Sequence, residues 1–285
     1  MNVTHIPVLA SEVMAGLALA PGMTAVDGTC GLGGHTKLFA EAVGETGKVF
    51  AFDKDERNLS VARERLAAYG DRVQFVHDSY VQVGDYVKDV QGILFDLGYS
   101  SAHVDDPERG FSFQADGPLD MRYDVRDGVT AADIVNGWSR DDLTDLFRRY
   151  GEESRAPQVA KAIFDARREM RITRTLQLAS VVSSVVPRTG KIHPATRVFQ
   201  ALRIAVNDEF GAVEQGIAAA IKVLAPGGKL AILSFHSLED RIVKHAFLES
   251  THTKVLTKKP LVATHQEQKD NPRSRSAKLR IVEKL

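Results

Sequence analysis

The stretch that decides the fold is Val26-Asp27-Gly28-Thr29-Cys30-Gly31-Leu32-Gly33-Gly34-His35-Thr36. It places four glycines within seven residues, directly after a short apolar run (residues 23–26) that predicts a buried strand. The residues that follow, 36–43, have helical composition. A strand, a glycine-rich turn and a helix favour nucleotide binding, because glycine lets the backbone approach a ligand closely and a helix start offers unpaired N–H groups.

A carboxylate follows this loop at an informative distance. The run Val49-Phe50-Ala51-Phe52-Asp53 is an apolar strand that ends in Asp53, 20 residues after Gly33. At this spacing an acidic side chain accepts hydrogen bonds from ribose hydroxyls. The loop departs from the dinucleotide fingerprint, because Thr36 stands where the third glycine would be. The sequence therefore predicts an adenosine-containing cofactor and disfavours NAD without excluding it.

Composition restricts the class of protein. The chain has 285 residues, of which 44% are hydrophobic and 26% charged, as is ordinary for a soluble globular protein of one or two domains. It has no run of 18 apolar residues, and its N-terminus lacks the basic-then-apolar order of a signal peptide. Cys30 is the only cysteine, which excludes a disulfide framework and a cysteine-based zinc site. We expect a cytoplasmic protein without a metal site.

Net charge is balanced overall but not locally. Residues 148–203 contain 12 Lys/Arg against 4 Asp/Glu, and residues 251–285 contain 9 against 3. Clustered positive charge indicates a polyanionic partner such as nucleic acid, although solvated helix faces are the alternative. The second region also contains Pro272-Arg273-Ser274-Arg275-Ser276, which is short and polar and is expected not to be helical.

The order of the predicted elements indicates an inserted domain. Strands at residues 24–26, 49–52, 73–76 and 92–96 alternate with helices, one of them at 56–69 after a cap at Asp55. This rhythm predicts a parallel sheet. Residues 105 to 203 contain no convincing strand, and strands return at 229–235 and 278–282. The sequence predicts a discontinuous α/β domain, residues 1–104 and 206–285, that carries a helical domain at 105–205.

Segments along the whole chain resemble one family. They include Asp27-Gly28-Thr29-Cys30-Gly31-Leu32-Gly33-Gly34-His35-Thr36, Asp96-Leu97-Gly98-Tyr99-Ser100-Ser101, Gly117-Pro118-Leu119-Asp120-Met121-Arg122, Tyr150-Gly151-Glu152-Glu153, Phe199-Gln200-Ala201-Leu202-Arg203 and Ser234-Phe235-His236-Ser237-Leu238-Glu239-Asp240-Arg241. The sequence is similar to the bacterial small-subunit ribosomal RNA methyltransferase H family, which methylates N4 of a decoding-centre cytidine with S-adenosylmethionine. The resemblance implies a Rossmann-like class I methyltransferase sheet with an inserted all-helical substrate-recognition domain. It also implies 16S rRNA within the small ribosomal subunit as the partner.

The resemblance also implies a set of cofactor contacts. By position in the family pattern these are Gly33, Gly34, His35, Asp53, Tyr80, Asp96 and His103. Three positions depart from what is common in the family. Tyr80 stands where phenylalanine is frequent, His103 where glutamine is frequent, and Tyr99 where a smaller residue is frequent.

The candidate catalytic residues follow from the chemistry of cytosine. Methylation at C5 generally requires a cysteine thiolate, whereas attack by the exocyclic N4 needs no covalent adduct. Cys30 lies in the predicted cofactor loop, so it is more consistent with packing than with nucleophilic attack. The amino group needs an acceptor that orients it and draws away a proton. Asp120 and His236 are the candidates, with Asp96 and Ser100 nearer the cofactor.

Other interpretations of the same residues stay open. One is a methyltransferase that acts on DNA or on a protein. DNA amino-methyltransferases carry Asp/Asn-Pro-Pro-aromatic after the fourth strand, whereas this chain has Asp96-Leu97-Gly98-Tyr99. Another is a ribosome-assembly factor that binds the cofactor without catalysis, against which the intact loop argues. The sequence does not distinguish a monomer from a homodimer.

Overall fold

The chain folds into two compact units. A computed structural model describes residues 7–98, 101–126, 128–188, 190 and 192–285. The sheet unit comprises Met1–Gly98 and Phe210–Leu285, and the helical unit comprises Tyr99–Glu209. The helical domain predicted at residues 105–205 falls within the second unit, whose limits lie a few residues further out at each end.

The described part of the sheet unit contains eight strands. They are β1 (Thr24–Asp27), β2 (Lys48–Phe52), β3 (Val73–Val76), β4 (Val90–Asp96), β5 (Leu224–Ser234), β6 (Thr253–Val255), β7 (Leu261–Val262) and β8 (Lys278–Lys284). Their order is β3-β2-β1-β4-β5-β8-β6, with β7 also paired to β8. The first five strands pair in parallel, and β8 runs antiparallel to its neighbours. The strand order reverses between β1 and β4, which is where ligands bind in such sheets. The predicted α/β fold class is confirmed.

Helices cover both faces of this sheet. Those of the sheet unit are α1 (Ala10–Leu17), α2 (Gly34–Val43), α3 (Glu56–Arg65), most of α10 (Glu209–Val223), α11 (Ser237–Glu249) and α12 (His265–Asp270). Side chains of β4 alternate between two apolar clusters, with Leu94 in one and Ile93 and Phe95 in the other. Both faces of the parallel strands are therefore buried, as their nearly continuous apolar sequence predicts.

The helical unit has its own apolar core. Its helices are α4 (Ser101–Asp105), α5 (Ala131–Gly137), α6 (Arg140–Arg149), α7 (Ala156–Glu169), α8 (Thr175–Val185) and α9 (Thr196–Asn207). Polar caps set two of the helix starts, because Ser139 accepts from the Asp142 N–H and Thr130 from the Asp133 N–H. Leu143 and Phe147 of α6 are fully buried in the core. The described part of this unit contains no strand, only one isolated bridge between Pro118 and Arg174.

Some local predictions differ from the structure. The helix expected at 56–69 ends at Arg65 and is followed by the 3-10 segment Ala67–Arg72, which is kinked at Gly70 (φ 52°, ψ −136°). The segment Pro272–Ser276, expected not to be helical, forms a 3-10 helix that begins at a proline and buries Ser274. The edge strands β6 and β7 are too short for a periodic signal. Among the described residues no helix has the length and apolar character needed to cross a membrane.

Candidate active site at the carboxyl edge of the sheet

The loop after β1 is shaped by glycines with positive φ. Gly31 has φ 52° and Gly33, the N-cap of α2, has φ 85°. A Cβ atom on Gly33 would lie 3.0 Å from Cδ1 of Leu66, so α3 and its continuation close one side of the loop. No side chain caps α2. In its first turn the Thr36 N–H is taken by the buried carboxylate of Asp27, and the Gly34 N–H is the group at the helix start that can meet a ligand.

Thr36 explains why the third glycine of the dinucleotide fingerprint is absent. Its Oγ1 donates to Oδ2 of Asp27 over 2.6 Å, and both residues are buried. The other carboxylate oxygen of Asp27 accepts from the Thr29 N–H at 3.2 Å. Burial raises the pKa of Asp27 to about 6. The threonine thus ties the start of α2 to the end of β1 through a hydrogen bond that glycine could not make.

Asp53 lies at the end of β2 and contacts the glycine loop directly. Its Oδ2 accepts from the Gly31 N–H at 2.7 Å, and its Oδ1 accepts from the Asp55 N–H at 2.8 Å. Burial raises the pKa of Asp53 to about 7. The Asn58 side chain also donates to this carboxylate. A carboxylate offers about four lone-pair sites, so the group can still accept a hydrogen bond from a ligand hydroxyl.

Asp96 ends β4 on the other side of β1. Its backbone N–H donates to Oγ1 of Thr29 at 2.7 Å, and its Oδ2 lies 3.6 Å from Nε2 of His35. Within the described part of the chain, the buried Oδ1 of Asp96 has no hydrogen-bond partner. Burial, together with the nearby carboxylates of Asp27 and Glu239, raises the pKa of Asp96 to about 8. A buried acceptor without a partner is costly, so this position suits a ligand that brings a donor or a positive charge.

Tyr80 follows β3 and packs into the sheet unit. Its ring lies 4.3 Å from the ring of Phe95, centroid to centroid, at an interplanar angle of 31°. A Cβ atom on Gly216 of α10 would come within 2.3 Å of Tyr80 Cε2. The glycine therefore makes room for the tyrosine ring. Stacking of Tyr80 on an adenine stays a prediction.

The segment after β5 folds into a helix cap in which His236 and Glu239 face each other. Nδ1 of His236 accepts from the Glu239 N–H at 3.4 Å, and Nε2 lies 3.0 Å from Oε1 of Glu239. Oε2 of Glu239 accepts from the Phe235 N–H at 2.8 Å. Glu239 is only 2% exposed. The sequence reasoning missed this residue, although His-x-x-Glu repeats the spacing of a capping box.

Two candidate residues belong to the helical unit. His103 is 4% exposed, and its ring lies 5.0 Å from the rings of Phe111 and Tyr123. Asp120 accepts from Arg122 through Nε at 2.8 Å and Nη2 at 2.7 Å. Partial burial acts to raise the pKa of Asp120, but the hydrogen bonds from Arg122 outweigh it, so the pKa is below its usual value. Asp120 is therefore a permanent anion near neutral pH.

Most of the predicted site residues lie at one edge of the sheet unit. Gly33, Gly34, His35, Asp53, Tyr80, Asp96 and His236 all lie at or just beyond the carboxyl ends of its parallel strands. His103 and Asp120 lie in the helical unit. Tyr99 and Ser100 lie outside the described residues. The described residues contain no group of three or more His, Cys, Asp or Glu side chains that could hold a metal ion.

Named proteins of other organisms are similar to this chain over nearly its whole length. A model of the MraW methylase family matches residues 2–285. A protein of Nostoc punctiforme named "Ribosomal RNA small subunit methyltransferase H" is 49% identical over 285 residues, covering 99% of this chain and 94% of the relative. A protein of the same name from Trichlorobacter lovleyi is 45% identical, covering 99% of this chain and 98% of the relative.

Solved structures share the fold at low sequence identity. The crystal structure of PH0851 superposes with a TM-score of 0.51 at 13% identity, covering 96% of this chain and 45% of that protein. At this identity the likeness concerns the fold alone.

Proposed function

Because the chain belongs to the MraW methylase family, we propose that it methylates the exocyclic N4 of a cytidine in the decoding region of 16S rRNA. It is an S-adenosylmethionine-dependent methyltransferase, as its family and its named relatives indicate. We further propose that the substrate is presented in the small ribosomal subunit and that the reaction takes place in the cytoplasm.

The observation that carries the proposal is the acidic edge of the sheet unit, formed by Asp27, Asp53 and Asp96. All three carboxylates have raised pKa values, and the described residues provide no Lys or Arg ion pair to any of them. S-adenosylmethionine brings two ribose hydroxyls, an ammonium group and a sulfonium. The buried Oδ1 of Asp96 lacks a partner that such a cationic ligand would supply. A phosphate-containing dinucleotide would instead meet carboxylates, so the chemistry of the donor set fits the methyl donor better than NAD.

Different residues at the carboxyl edge of the sheet unit bind different parts of the cofactor. Asp53 accepts from the ribose, since its two oxygens are held in place by the N–H groups of Gly31 and Asp55. Gly33 and Gly34 present backbone at the start of α2. Asp96 and His35 hold the methionine end, and Tyr80 contacts the adenine. When bound, the cofactor supplies a methyl group that its sulfonium makes electrophilic.

The main catalytic contribution is positioning of the cytosine amino group against the methyl group, because the methyl group needs no further activation. Holding two reactants in line lowers such a barrier by roughly 7–11 kcal/mol. Asp120, kept ionised by Arg122, accepts a hydrogen bond from the cytosine amino group and orients its lone pair. His236 accepts from the Glu239 N–H through Nδ1, and its Nε2 lies 3.0 Å from Oε1 of Glu239 without a hydrogen bond. We propose that His236 contributes by holding the segment after β5 in place.

The helical unit supplies the contacts to RNA. A base must leave its stack before the cofactor can reach it, so flanking phosphates need to be held. Four arginines of this unit are exposed and have no ionic partner among the described residues: Arg149, Arg168, Arg188 and Arg197. Phosphate contacts of this kind make binding steeply dependent on salt.

The test is a labelling experiment with small ribosomal subunits that lack the modification. The protein is incubated with methyl-labelled S-adenosylmethionine, and the labelled nucleotide is mapped by nuclease digestion and mass spectrometry. We expect one N4-methylcytidine in the decoding region, and none with subunits that already carry it. Label at C5, in another nucleotide, in protein or only in DNA would overturn the proposal.

A further inference from the structure

A row of exposed cations lies on the outer edge of the sheet unit, far along the chain from the helical unit. The basic edge consists of Lys254, Lys258, Lys259, Lys269, Arg273 and Arg275, all exposed. They lie on the segment that includes β6, β7, α12 and the 3-10 helix Pro272–Ser276, where β6 and β7 pair with β8. We propose that the basic edge binds RNA phosphates, as a second RNA-contact surface. This inference rests on the proposed function.

The fold holds this segment firmly in place. Ser274 is fully buried between Arg273 and Arg275, and its Oγ donates to the Asn271 carbonyl at 2.8 Å. Ala263 and Ala277, on either side along the chain, belong to an apolar cluster of the sheet unit. Since the segment is anchored by buried residues, its arginines are displayed without a large ordering cost on binding.

The acidic residues of the segment do not neutralise the basic edge. Glu267 is used inside the fold, where its Oε1 accepts from the Leu9 N–H at 2.7 Å. Asp270 accepts from the uncharged side chain of Gln266 at 2.9 Å. The described residues offer no ion pair to any cation of the basic edge. Nε of Arg275 donates to the uncharged Gln268 carbonyl at 3.4 Å.

Neighbouring cations show the contrast between a structural role and a surface role. Lys278 and Arg280 of β8 both pair with Asp240, through Oδ2 at 3.1 Å and Oδ1 at 2.7 Å. These two are therefore bound inside the sheet unit and are not counted in the basic edge. Only Lys269 of the basic edge lies on an α-helix, so a solvated amphipathic helix does not account for the remaining five.

The arrangement of charges along the basic edge favours a polyanion over a small anionic ligand. Lys254, Lys258 and Lys259 lie on β6 and the turn after it, and the other three cations lie on α12 and the 3-10 helix. The exposed side chains of Leu261 and Val262, in β7, lie between these two groups along the chain. A row of separate charges matches the repeated phosphates of a nucleic acid strand, and apolar side chains can pack against sugars. RNA is the nucleic acid that the proposed reaction brings to this protein.

The experiment neutralises three cations and compares the result with a matched variant. The test variant is Lys258→Gln/Lys259→Gln/Arg273→Gln. The control is Lys48→Gln/Lys88→Gln/Lys222→Gln, which removes the same charge from exposed positions elsewhere in the sheet unit. The dissociation constant for unmodified small ribosomal subunits is measured from 50 to 300 mM KCl without cofactor. Unchanged melting and unchanged S-adenosylhomocysteine binding confirm that both variants are folded.

We expect the slope of log affinity against log salt to fall by about 2 in the test variant, since each contact to single-stranded phosphate contributes about 0.7. The control should keep the wild-type slope. Equal slopes in both variants would overturn the inference. So would a test variant that keeps its affinity for ribosomal subunits and loses binding only to an acidic peptide or to anionic vesicles. Failure of the proposed function is a separate result, because it appears as absent methyl transfer by the wild-type protein.

Discussion

Two sets of carboxylates, one in each unit, have pKa values that are shifted in opposite directions. In the sheet unit, burial raises the pKa of Asp27, Asp53 and Asp96 to about 6, 7 and 8. In the helical unit the pKa values of Asp116, Asp120 and Asp133 are lowered. Hydrogen bonds from Arg174 and Arg122 cause this at Asp116 and Asp120, and one from Thr130 at Asp133.

The difference separates a ligand site from a scaffold. Asp27 and Asp53 accept from backbone N–H groups, and no carboxylate of the acidic edge has a Lys or Arg partner among the described residues. Burial therefore favours the protonated forms of these carboxylates until a cationic ligand arrives. Those of the helical unit order loops and arginines, as Asp116 does by accepting from Nε of Arg174 at 2.9 Å. We infer that the first set responds to cofactor and pH, and that the second set is permanently ionised.

The largest expected effect is on cofactor binding by Asp53→Ala. The variant loses a charge-assisted hydrogen bond to the ribose, worth about 1.5–3 kcal/mol, and so weakens S-adenosylhomocysteine binding about 10- to 100-fold. Isothermal titration calorimetry measures the change. Asp53→Asn is the control and should lose less, because one acceptor oxygen is kept. Wild-type affinity in the alanine variant would remove Asp53 from the site.

The next effect concerns the stability of the sheet unit. Thr36→Val removes the hydroxyl that donates to buried Asp27, leaving a charged acceptor unsatisfied. We expect the free energy of unfolding at pH 8 to fall by about 2 kcal/mol, measured by urea denaturation. Thr36→Ser keeps the hydroxyl and should recover most of the loss. If Thr36→Val leaves the free energy of unfolding unchanged, the hydrogen bond to Asp27 does not stabilise the loop.

A smaller effect is expected on turnover from Asp120→Asn and from His236→Ala. Each should lower the single-turnover rate at saturating RNA about tenfold, corresponding to about 1.4 kcal/mol, while S-adenosylhomocysteine affinity stays unchanged. Rapid-quench assays with labelled cofactor measure the rate. If both variants keep the wild-type rate, neither side chain orients or deprotonates the amino group.

A separate prediction concerns the pH dependence of stability, which Asp96→Asn should reduce. The pKa of Asp96 is about 8 in the folded chain and near 3.8 as a free side chain, so its neutral form favours folding. Its contribution to stability is fully present below about pH 4 and is lost as the pH rises through about 8. We expect the free energy of unfolding, without cofactor, to fall less steeply between pH 5 and pH 8 in the variant. Identical pH profiles would show that Asp96 is ionised at no cost.

Local sequence signals predicted the strands and helices of the sheet unit, but they did not predict which side chains contact each other within it. The strand ends at Asp53 and Asp96 and the cap at Asp55 follow from apolar runs and short-range spacing. The contact of Glu267 with the Leu9 N–H joins residues 258 positions apart, which no local pattern encodes. The same limit hid the pairing of Glu239 with His236, because a histidine cap looks like an isolated histidine until its helix is placed.

The central claim is that the acidic edge of the sheet unit binds the cofactor and the helical unit binds RNA. The most direct test measures two dissociation constants, for S-adenosylhomocysteine and for unmodified small ribosomal subunits, in Asp53→Ala and in Arg149→Gln/Arg168→Gln/Arg188→Gln/Arg197→Gln. We predict that the first variant loses only cofactor affinity. The second should lose only RNA affinity, with a shallower salt dependence. Loss of cofactor affinity in the arginine variant, or unchanged RNA affinity in it, would contradict the claim.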